Sequence, residues 1–355
     1  MTLKKNILFS CAGGIFSIQN IIAINKIKDF KFNIYGIDIN KVGIPNKDFF
    51  LKVSICPNPH DKAELYLRFI KNYCRQNKID VFLPFSDSEI ELLCNVNFTN
   101  LKTKIVLPSK KNLDLLSDKY KFLSYLNEKK IIDEKVFKLD SISDLENILG
   151  MKKINSREIV LKPRKSRGSR GVLIINEKVD FFEPVKNRNC AIGPKKNILD
   201  FIIRNEIKLN NFFLMNYHSN KNYDVDCYAS NSKIKHLVVR ERNWENHLSS
   251  VNVGCRIVKN LKIEKLVEKI ICELNISGIL DLDLSLDQNN EPHIIDVSSR
   301  LSGSVSAGMI AGFNIFEVIL KDLFGIKFNR KLIKKAYTVR LGNIFIDKNL
   351  YTLGN

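Results

Sequence analysis

Short apolar runs alternate with amphipathic stretches along the first 110 or so residues. The runs "NILFS" and "FNIYGIDIN" flank "IFSIQNIIAINKI", in which apolar residues recur at helical spacing. The same order continues through "KAELYLRFIKNYCRQNK", "IDVFLPF", "DSEIELLCNV" and "KIVLP". Strands that alternate with helices predict a parallel sheet with helices on both faces. Residues 1–112 are therefore predicted to form a Rossmann-like, doubly wound α/β domain.

The pattern changes class after residue 112. The segment "NLDLLSDKYKFLSYLNEKK" has helical spacing and is followed by a strand-rich region. A helical pattern at "KIEKLVEKIICELN" then precedes a hairpin in "GILDLDLSLDQNNEPHIIDVSSR", and one further helix is predicted over about 305–323. The second half is thus expected to be α+β, divided into residues 113–214, residues 215–330 and a tail at 331–355.

Composition and charge limit the possible classes of protein. The 355 residues carry a net charge of +19, but the lysines are spread along the chain and no nucleic-acid-binding motif occurs, so we expect no nucleic-acid partner. The eight cysteines form no CxxC pair, which indicates a reducing compartment and no zinc site. Apolar runs stay well below the roughly 18 residues of a membrane span. A cytoplasmic protein without membrane association is predicted.

The hairpin sequence predicts a cation site. If Asn289 and Asn290 form a two-residue turn, Asp283 faces Asp296 and Asp281 faces Ser298. Facing carboxylates repel one another unless a cation lies between them, and carboxylates suit Mg²⁺. Solvent-facing acids are the alternative interpretation. The same register predicts that six residues share the opposite, buried face: Leu282, Leu284, Leu286, His293, Ile295 and Val297.

A basic loop in "EIVLKPRKSRGSRGVLII" is a candidate phosphate site. Lys162 ends the first strand, and Gly168 and Gly171 let backbone N–H groups approach an anion among several cations. A solvated hairpin tip is the alternative. The P-loop pattern GxxxxGK[ST] is absent, which argues against a P-loop NTPase.

The N-terminal "CAGG" turn, with Asp38 at the end of the second strand, outlines a dinucleotide-binding unit. The third glycine of the fingerprint GxGxxG is absent, so Gly13 and Gly14 are equally consistent with a tight strand-to-helix turn. A nicotinamide-dependent oxidoreductase is therefore kept as an alternative.

The order of "SDKYKFL", "VLKPRKSRGSRGV", "FFLMNYHSNKNYDVD", "VVRER" and "IIDVSSRLSGS" resembles the ATP-grasp superfamily. The resemblance is to its carboxylate-amine ligases and the carbamoyl-phosphate synthetase large chain, and it covers most of the chain. It implies a Rossmann-like domain followed by an ATP-grasp fold of two subdomains. The implied activity is an ATP-dependent ligase that activates a small-molecule carboxylate as an acylphosphate for attack by an amine. ATP and Mg²⁺, or Mn²⁺ in its place, are the implied cofactors, and a homodimer is the default assembly.

The resemblance also assigns roles to individual residues. Lys119 and Lys162 would bind the phosphates of ATP. The glycine loop would close over those phosphates through Arg164, Ser166, Arg167, Gly168, Ser169 and Gly171. The adenine hinge would be Leu214, Met215, Asn216 and Tyr217, with Asn222 and Asp224 near the ribose. Metal ligands would be Asp283, Asp296 and Ser298, and the catalytic residues would be Lys162, Arg240, Arg242 and Arg300.

Two departures from the family pattern leave alternatives open. The sequence "DVSSR" stands where the family has E-x-N-P-R, and Asn216 and Asn222 stand where a ribose-binding glutamate is usual. A drifted enzyme or a non-catalytic ATP-binding protein is therefore a further hypothesis. Carbamoyl-phosphate-like chemistry on bicarbonate and ammonia is another, because the same scaffold carries it in the family. The sequence does not identify the carboxylate or the amine.

Overall fold

Three sheets make up the framework of the protein. The computed structural model describes residues 3–14, 17–40, 49–151, 158–166, 170–185, 188–218, 221–243, 254–328 and 338–340. Within these ranges the sheets have five, six and six strands and follow one another along the chain.

The first sheet is parallel throughout, with the strand order β3-β2-β1-β4-β5. Its strands are β1 (Leu3–Phe9), β2 (Phe30–Asp38), β3 (Lys52–Ile55), β4 (Val81–Leu83) and β5 (Lys104–Ile105). The connecting helices are α1 (Ser17–Asn25), α2 (Ala63–Gln76) and α3 (Asp87–Leu93). Separate apolar clusters form around α1 and α2, as a doubly wound sheet requires. The strand order reverses between β1 and β4, which leaves a crevice at their carboxyl ends.

The second sheet is mixed and has the order β6-β11-β7-β8-β10-β9. Its strands are β6 (Val136–Leu139), β7 (Glu158–Pro163), β8 (Leu173–Asn176), β9 (Glu183–Val185), β10 (Cys190–Gly193) and β11 (Phe212–Asn216). The helices of this region are α4 (Lys110–Leu116), α5 (Lys119–Glu128), α6 (Ile142–Leu149) and α7 (Lys195–Arg204). Helix α5 begins where Asp118 accepts a hydrogen bond from the Lys121 backbone N–H, 3.1 Å away.

The third sheet is antiparallel and has the order β16-β15-β12-β13-β14-β17. Its strands are β12 (Asn222–Ser230), β13 (Lys233–Asn243), β14 (Gly254–Val258), β15 (Gly278–Leu286), β16 (Pro292–Ser298) and β17 (Thr338–Arg340). The sequence set residues 331–355 apart as a tail, but β17 within that range forms the sheet edge beside β14.

Three helices complete the chain: α8 (Leu261–Leu274), α9 (Ser306–Ile310) and α10 (Ile315–Leu323). The prediction of a single helix over about 305–323 is therefore wrong, because two helices cover this range. The chain turns at Gly312, whose φ is +94°, and Asn314 then caps α10 by accepting from the Phe316 N–H. Among the described helices, none combines the length and apolar character needed to cross a bilayer.

The hairpin of β15 and β16 confirms the predicted pairing of carboxylates, although its turn and register differ from the prediction. Asp283 pairs with Asp296 and Asp281 with Ser298. The turn is one residue longer than predicted, because Asp287 donates its N–H to the Glu291 carbonyl. A bulge in β16 then restores the register, since Leu284 pairs with Ile294 instead of Ile295.

The bulge corrects the predicted faces of β16. Ile294 is buried in the core, whereas Ile295 lines a cavity and His293 is only partly buried. Leu282, Leu284, Leu286 and Val297 do lie in the core, as predicted.

Gly36 on β2 leaves no room for a side chain. A Cβ at this buried position would lie 2.9 Å from both Ala12 Cβ and Phe50 Cε1. Overpacking of a core costs about 1–3 kcal/mol, so Gly36→Ala is expected to lower the urea midpoint without changing the denaturant slope. Gly150→Ala is the control, because a Cβ there meets nothing closer than 3.4 Å, and its midpoint should stay near that of the parent. Equal midpoints for the two variants would contradict this packing.

Candidate active site

A cavity of about 440 Å³ lies where the second and third sheets approach one another, and residues from α3 and α4 also reach it. One end is mainly apolar and the other carries charged side chains of both signs. Such a concave site, with few convergent polar groups at one end, has the properties expected for a small-molecule ligand.

The apolar end is formed by one face of the second sheet. Val160 of β7, Ile174 of β8 and Met215 of β11 lie side by side there, since these strands are neighbours. Asn216 and Tyr217 continue the wall. Leu214, predicted to belong to the adenine hinge, is fully buried in the apolar core on the opposite face, because side chains alternate along β11.

Two buried lysines mark the boundary between the apolar and charged ends. The Lys119 ammonium donates to the Ser166 carbonyl at 2.6 Å and lies 3.4 Å from Asp296 Oδ1. The Lys162 ammonium donates to the carbonyl of Ile295, the bulge residue, at 2.9 Å. Burial lowers the pKa of Lys162 to about 8, against the opposing influence of Asp296. Two partly compensated ammonium groups in a buried place favour binding of an anion.

Carboxylates face these lysines across the cavity. Asp283, Asp296 and Ser298 all line it, as predicted for metal ligands, and Asp281 joins them opposite Ser298. Burial raises the pKa of Asp283 to about 7, although Arg242 acts in the other direction. Asp281 Oδ1 is buried and has no hydrogen-bond partner among the described residues. Carboxylate and hydroxyl oxygens gathered on one wall are the kind of donor set that fits Mg²⁺.

Arg242 and Arg240 occupy different positions, and only Arg242 lines the cavity. Arg242 is paired with Asp224 and lies 2.5 Å from Asp283 Oδ1. Arg240 is completely buried, with its Nε 2.7 Å from Asp226 and its Nη1 3.1 Å from Asp224. Arg240, predicted as a catalytic residue near the reacting phosphate, is thus enclosed by ion pairs and does not line the cavity.

Asp224 also differs from its predicted role near the ribose. It lines the cavity, but its carboxylate is held by both Arg242 and Arg240. Burial alone would raise its pKa, yet the two arginines hold the pKa of Asp224 well below its usual range. Asn222, the second predicted ribose residue, lines the cavity beside Ser285 of the neighbouring strand.

Arg300 joins the first domain to the third sheet. Its Nε donates to Asp87 Oδ1 of α3 at 3.0 Å, and it lines the cavity beyond Ser298. Burial opposes its charge, but Asp87 and Asp281 raise the pKa of Arg300, so that it stays cationic.

Only some residues of the predicted glycine loop line the cavity. Lys165 and Ser166 line the cavity, whereas Arg164 turns away to Asp118 at 3.1 Å, over the ring of Tyr120. The predicted phosphate contact of Arg164 is thus replaced by an ion pair at the start of α5. Gly171 adopts φ +75° and donates its N–H to the Arg188 carbonyl, away from the cavity. The predicted ligands Arg167, Gly168 and Ser169 lie outside the described residues.

A pair of stacked histidines was missed by the sequence analysis. His218 lines the cavity after Tyr217 and stacks on His293 with ring centroids 3.8 Å apart and planes 21° apart. His293 Nδ1 lies 2.7 Å from Glu134 Oε1. One possible ligand atom from each of Glu134, His218 and His293 lies within 4.8 Å of the others, so these three residues could also hold a metal ion. The sequence did carry one signal for this pair: two of the chain's five histidines lie within the predicted hinge and hairpin segments.

Buried polar atoms without partners coincide with the cavity. Within the described residues, four of the six such side chains line it, and His293 stacks on one of these four. An unpaired buried polar group costs about 1–3 kcal/mol, so such groups gather where a ligand supplies the missing partner. The four are Asn216, His218, Asp281 and Ser285.

The Glu134–His293 pair predicts a pH-dependent contribution to stability. Glu134 raises the pKa of His293 despite the opposing influence of burial, whereas burial lowers the pKa of His218. A raised folded-state pKa stabilises the protein fully below the unfolded value of about 6.5, and this contribution is lost as pH rises through the folded value. Glu134→Gln should therefore lower the free energy of unfolding more at about pH 6 than at about pH 9.

The measurement is urea denaturation at both pH values, together with NMR titration of the His293 ring. The exposed Glu268 of α8 provides the control, and Glu268→Gln should change neither quantity. A Glu134→Gln effect that is equal at both pH values would contradict a charged His293.

Comparison with known proteins identifies the fold. Residues 208–343 match a family described as "ATP-grasp in the biosynthetic pathway with Ter operon". A search of curated protein sequences gave no significant match.

Solved structures resemble most of the chain at low sequence identity. The N5-carboxyaminoimidazole synthetase of Staphylococcus aureus is 14% identical, with a TM-score of 0.66 over 95% of this chain and 82% of that one. An L-amino acid ligase from Bacillus licheniformis is 13% identical, with a TM-score of 0.64 over 91% and 75%.

The biotin carboxylase domain of the 2-oxoglutarate carboxylase of Hydrogenobacter thermophilus, solved with MgADP, ADP and bicarbonate, is 16% identical. Its TM-score is 0.64 over 91% of this chain and 70% of that one. Together with the match over residues 208–343, these similarities show that the chain has the ATP-grasp fold, preceded by a Rossmann-like domain.

Proposed function

We propose that the protein is an ATP-dependent ligase that phosphorylates a small-molecule carboxylate and joins the resulting acylphosphate to an amine. The observation that carries this proposal is the position of two buried lysines opposite a set of carboxylates in one cavity. Lys119 and Lys162 face Asp283 and Asp296, and Lys119 and Asp296 are 3.4 Å apart at their charged atoms. Cations for phosphate and carboxylates for a metal are what phosphoryl transfer needs.

The two ends of the cavity suit the two parts of ATP. The apolar wall of Val160, Ile174 and Met215 suits a purine ring, and the unpartnered Asn216 and His218 can supply hydrogen bonds beside it. The triphosphate would extend to Lys119 and Lys162. Arg164 takes no direct part in this arrangement, but its ion pair with Asp118 fixes the start of α5 and hence the position of Lys119.

Mg²⁺, or Mn²⁺, would be held by Asp283, Asp296 and Ser298, and would neutralise charge on the outer phosphates when bound. Asp296 and Ser298 are shorter or weaker ligands than the glutamate and asparagine of the family pattern. Asp281, which faces Ser298 across the hairpin, adds a third carboxylate to the same wall.

The chain's own groups would act by positioning and by charge. A carboxylate oxygen of the substrate attacks the terminal phosphorus of ATP, the bond to the bridging oxygen breaks, and ADP leaves. The amine then attacks the acyl carbon, phosphate leaves, and the amine loses a proton to the solvent. Arg242 and Arg300 stand at the charged end, where they can stabilise the negative charge that spreads over the transferred group.

The similar structures support both parts of this proposal. One is named an L-amino acid ligase, and another was solved with MgADP and bicarbonate. A ligation reaction between two molecules is favoured here because a second cavity, lined by Arg300 and by residues of the first domain, adjoins this one and has room for a further substrate.

Removal of either side of the proposed phosphate site should abolish turnover. Lys162→Ala and Asp296→Ala are each expected to reduce ADP formation by at least two orders of magnitude, because charge stabilisation at the transferred phosphate is lost. Coupled ADP detection with purified, folded variants is the measurement. Retained turnover in both variants would disprove the assignment.

The hairpin register makes a finer prediction. Asp283→Asn should raise the Mg²⁺ concentration needed for half-maximal ATP binding by about tenfold or more. Asp287→Asn is the matched control, because Asp287 lies near the turn, where its carboxylate accepts from the Asn289 and Glu291 N–H groups. Equal effects of the two substitutions would show that Asp283 is not a metal ligand.

A further inference from the structure

A second cavity, of about 190 Å³, lies at the carboxyl ends of β1 and β4. This is the crevice where the strand order of the first sheet reverses, and such crevices are the usual ligand sites of open parallel sheets. We call it the side-chain pocket. It is enclosed mainly by Phe9, Ile21, Phe50 and Phe85.

The "CAGG" turn forms one wall of this pocket. Asp38 accepts hydrogen bonds from the N–H groups of Gly13, at 2.9 Å, and Asn40, at 3.0 Å. Cys11 adopts a left-handed conformation with φ +53° and accepts from the Gly14 N–H. The carboxylate of Asp38 therefore holds the turn in shape, which is the structural alternative considered for this motif.

A buried network fixes the opposite wall. Glu89 of α3 accepts from Ser10 Oγ, from the hydroxyl of Tyr66 and from the Phe85 N–H. Ser10 Oγ in turn accepts from the Phe85 N–H at 2.9 Å. These bonds tie the end of β1 to the segment after β4, so the pocket is formed before any ligand arrives.

The side-chain pocket adjoins the cavity between the second and third sheets, which we call the ATP cavity after the function proposed for it. Arg300, Ser302 and Gly303 line both spaces. A molecule that places one group in the side-chain pocket can therefore place another beside the arginine, at the charged end of the ATP cavity. Among the described residues that line the side-chain pocket, Arg300 is the one charged side chain.

One polar atom in the pocket lacks a partner. Asn20 is only 6% exposed, lines the pocket, and its Oδ1 accepts no hydrogen bond from the described residues. An unpaired buried carbonyl of this kind favours a ligand that brings a hydrogen-bond donor.

We propose that the side-chain pocket binds the uncharged, mainly apolar side group of the carboxylate substrate, whose carboxylate lies at Arg300. The inference rests on the proposed ligase function and adds the substrate class. A cavity of about 150 Å³ is enough for benzene, so 190 Å³ fits a phenyl or branched aliphatic group. A second charge on the substrate is disfavoured, because no described residue at the pocket offers an opposite charge away from Arg300.

Four matched probes test this proposal by ligand-observed NMR, without nucleotide and with MgADP. Hydrocinnamate carries a phenyl group and a carboxylate, glutarate carries a second carboxylate, and phenethylamine carries an amine in place of the carboxylate. Hydrocinnamate is expected to bind about tenfold more tightly than glutarate or phenethylamine. Phloretate, which adds a phenolic O–H donor, is expected to bind more tightly than hydrocinnamate because Asn20 Oδ1 can accept from it.

Two variants localise the binding. Ser17→Phe fills the pocket from α1 and should weaken hydrocinnamate binding by about tenfold, while the affinity for MgATP, measured by calorimetry, stays unchanged. Asn20→Leu keeps a similar volume and should remove the preference for phloretate over hydrocinnamate. Unchanged MgATP affinity also reports that each variant is folded.

The outcomes separate the two proposals. Absence of hydrocinnamate binding, equal binding of glutarate, or no effect of Ser17→Phe overturns the side-chain pocket and leaves the ligase proposal in place. Preferred binding of phenethylamine assigns the pocket to the amine substrate and overturns the carboxylate assignment. Failure of the parent protein to bind MgATP, with hydrocinnamate still bound, overturns the ligase proposal instead.

Discussion

The buried ion-pair network of the third sheet is the interaction on which the site depends. Arg240 is completely buried, and Asp224 and Asp226 of the neighbouring strand balance its charge. Removing one member of such a network leaves an uncompensated buried charge, at a cost of about 3–5 kcal/mol. Asp224 also pairs with Arg242, which reaches Asp283. The position of Asp283 at the cavity wall therefore depends on ion pairs that lead back to Arg240, which does not line the cavity.

The same network extends to the first domain. Arg240 donates to Ser302 and Ser304, in the segment that follows Arg300, and Arg300 is paired with Asp87 of α3. This segment separates the two cavities and lines both. Hydrogen bonds from Arg240 and the ion pair with Asp87 thus hold the boundary between the two cavities from the third sheet and from α3 at once. A ligase needs such a relation, since two reacting groups gain most when they are held together in a defined geometry.

The sequence predicted what depends on periodicity and missed what depends on tertiary contact. Strand and helix alternation was sufficient for the parallel sheet, and the pairing of Asp283 with Asp296 was predicted from an assumed two-residue turn at Asn289 and Asn290. The longer turn shifts the strand register by one residue, and the bulge at Ile295 shifts it back. The predicted pairing was therefore correct although the predicted turn was not. Arg240 and Arg242 are two positions apart on β13 and share one face of the strand, but no local pattern distinguishes which of them the surrounding strands and loops bury. The stacking of His218 on His293 brings together residues 75 positions apart and was likewise beyond a local pattern.

The central claim is that the cavity between the second and third sheets binds ATP together with a divalent cation. Calorimetric titration of the full chain with ATP, in the presence and absence of Mg²⁺ and with NADH as the comparison ligand, tests it most directly. The account predicts ATP binding that Mg²⁺ strengthens, with no heat of binding from NADH. NADH binding in preference to ATP, or ATP binding indifferent to Mg²⁺, would contradict it.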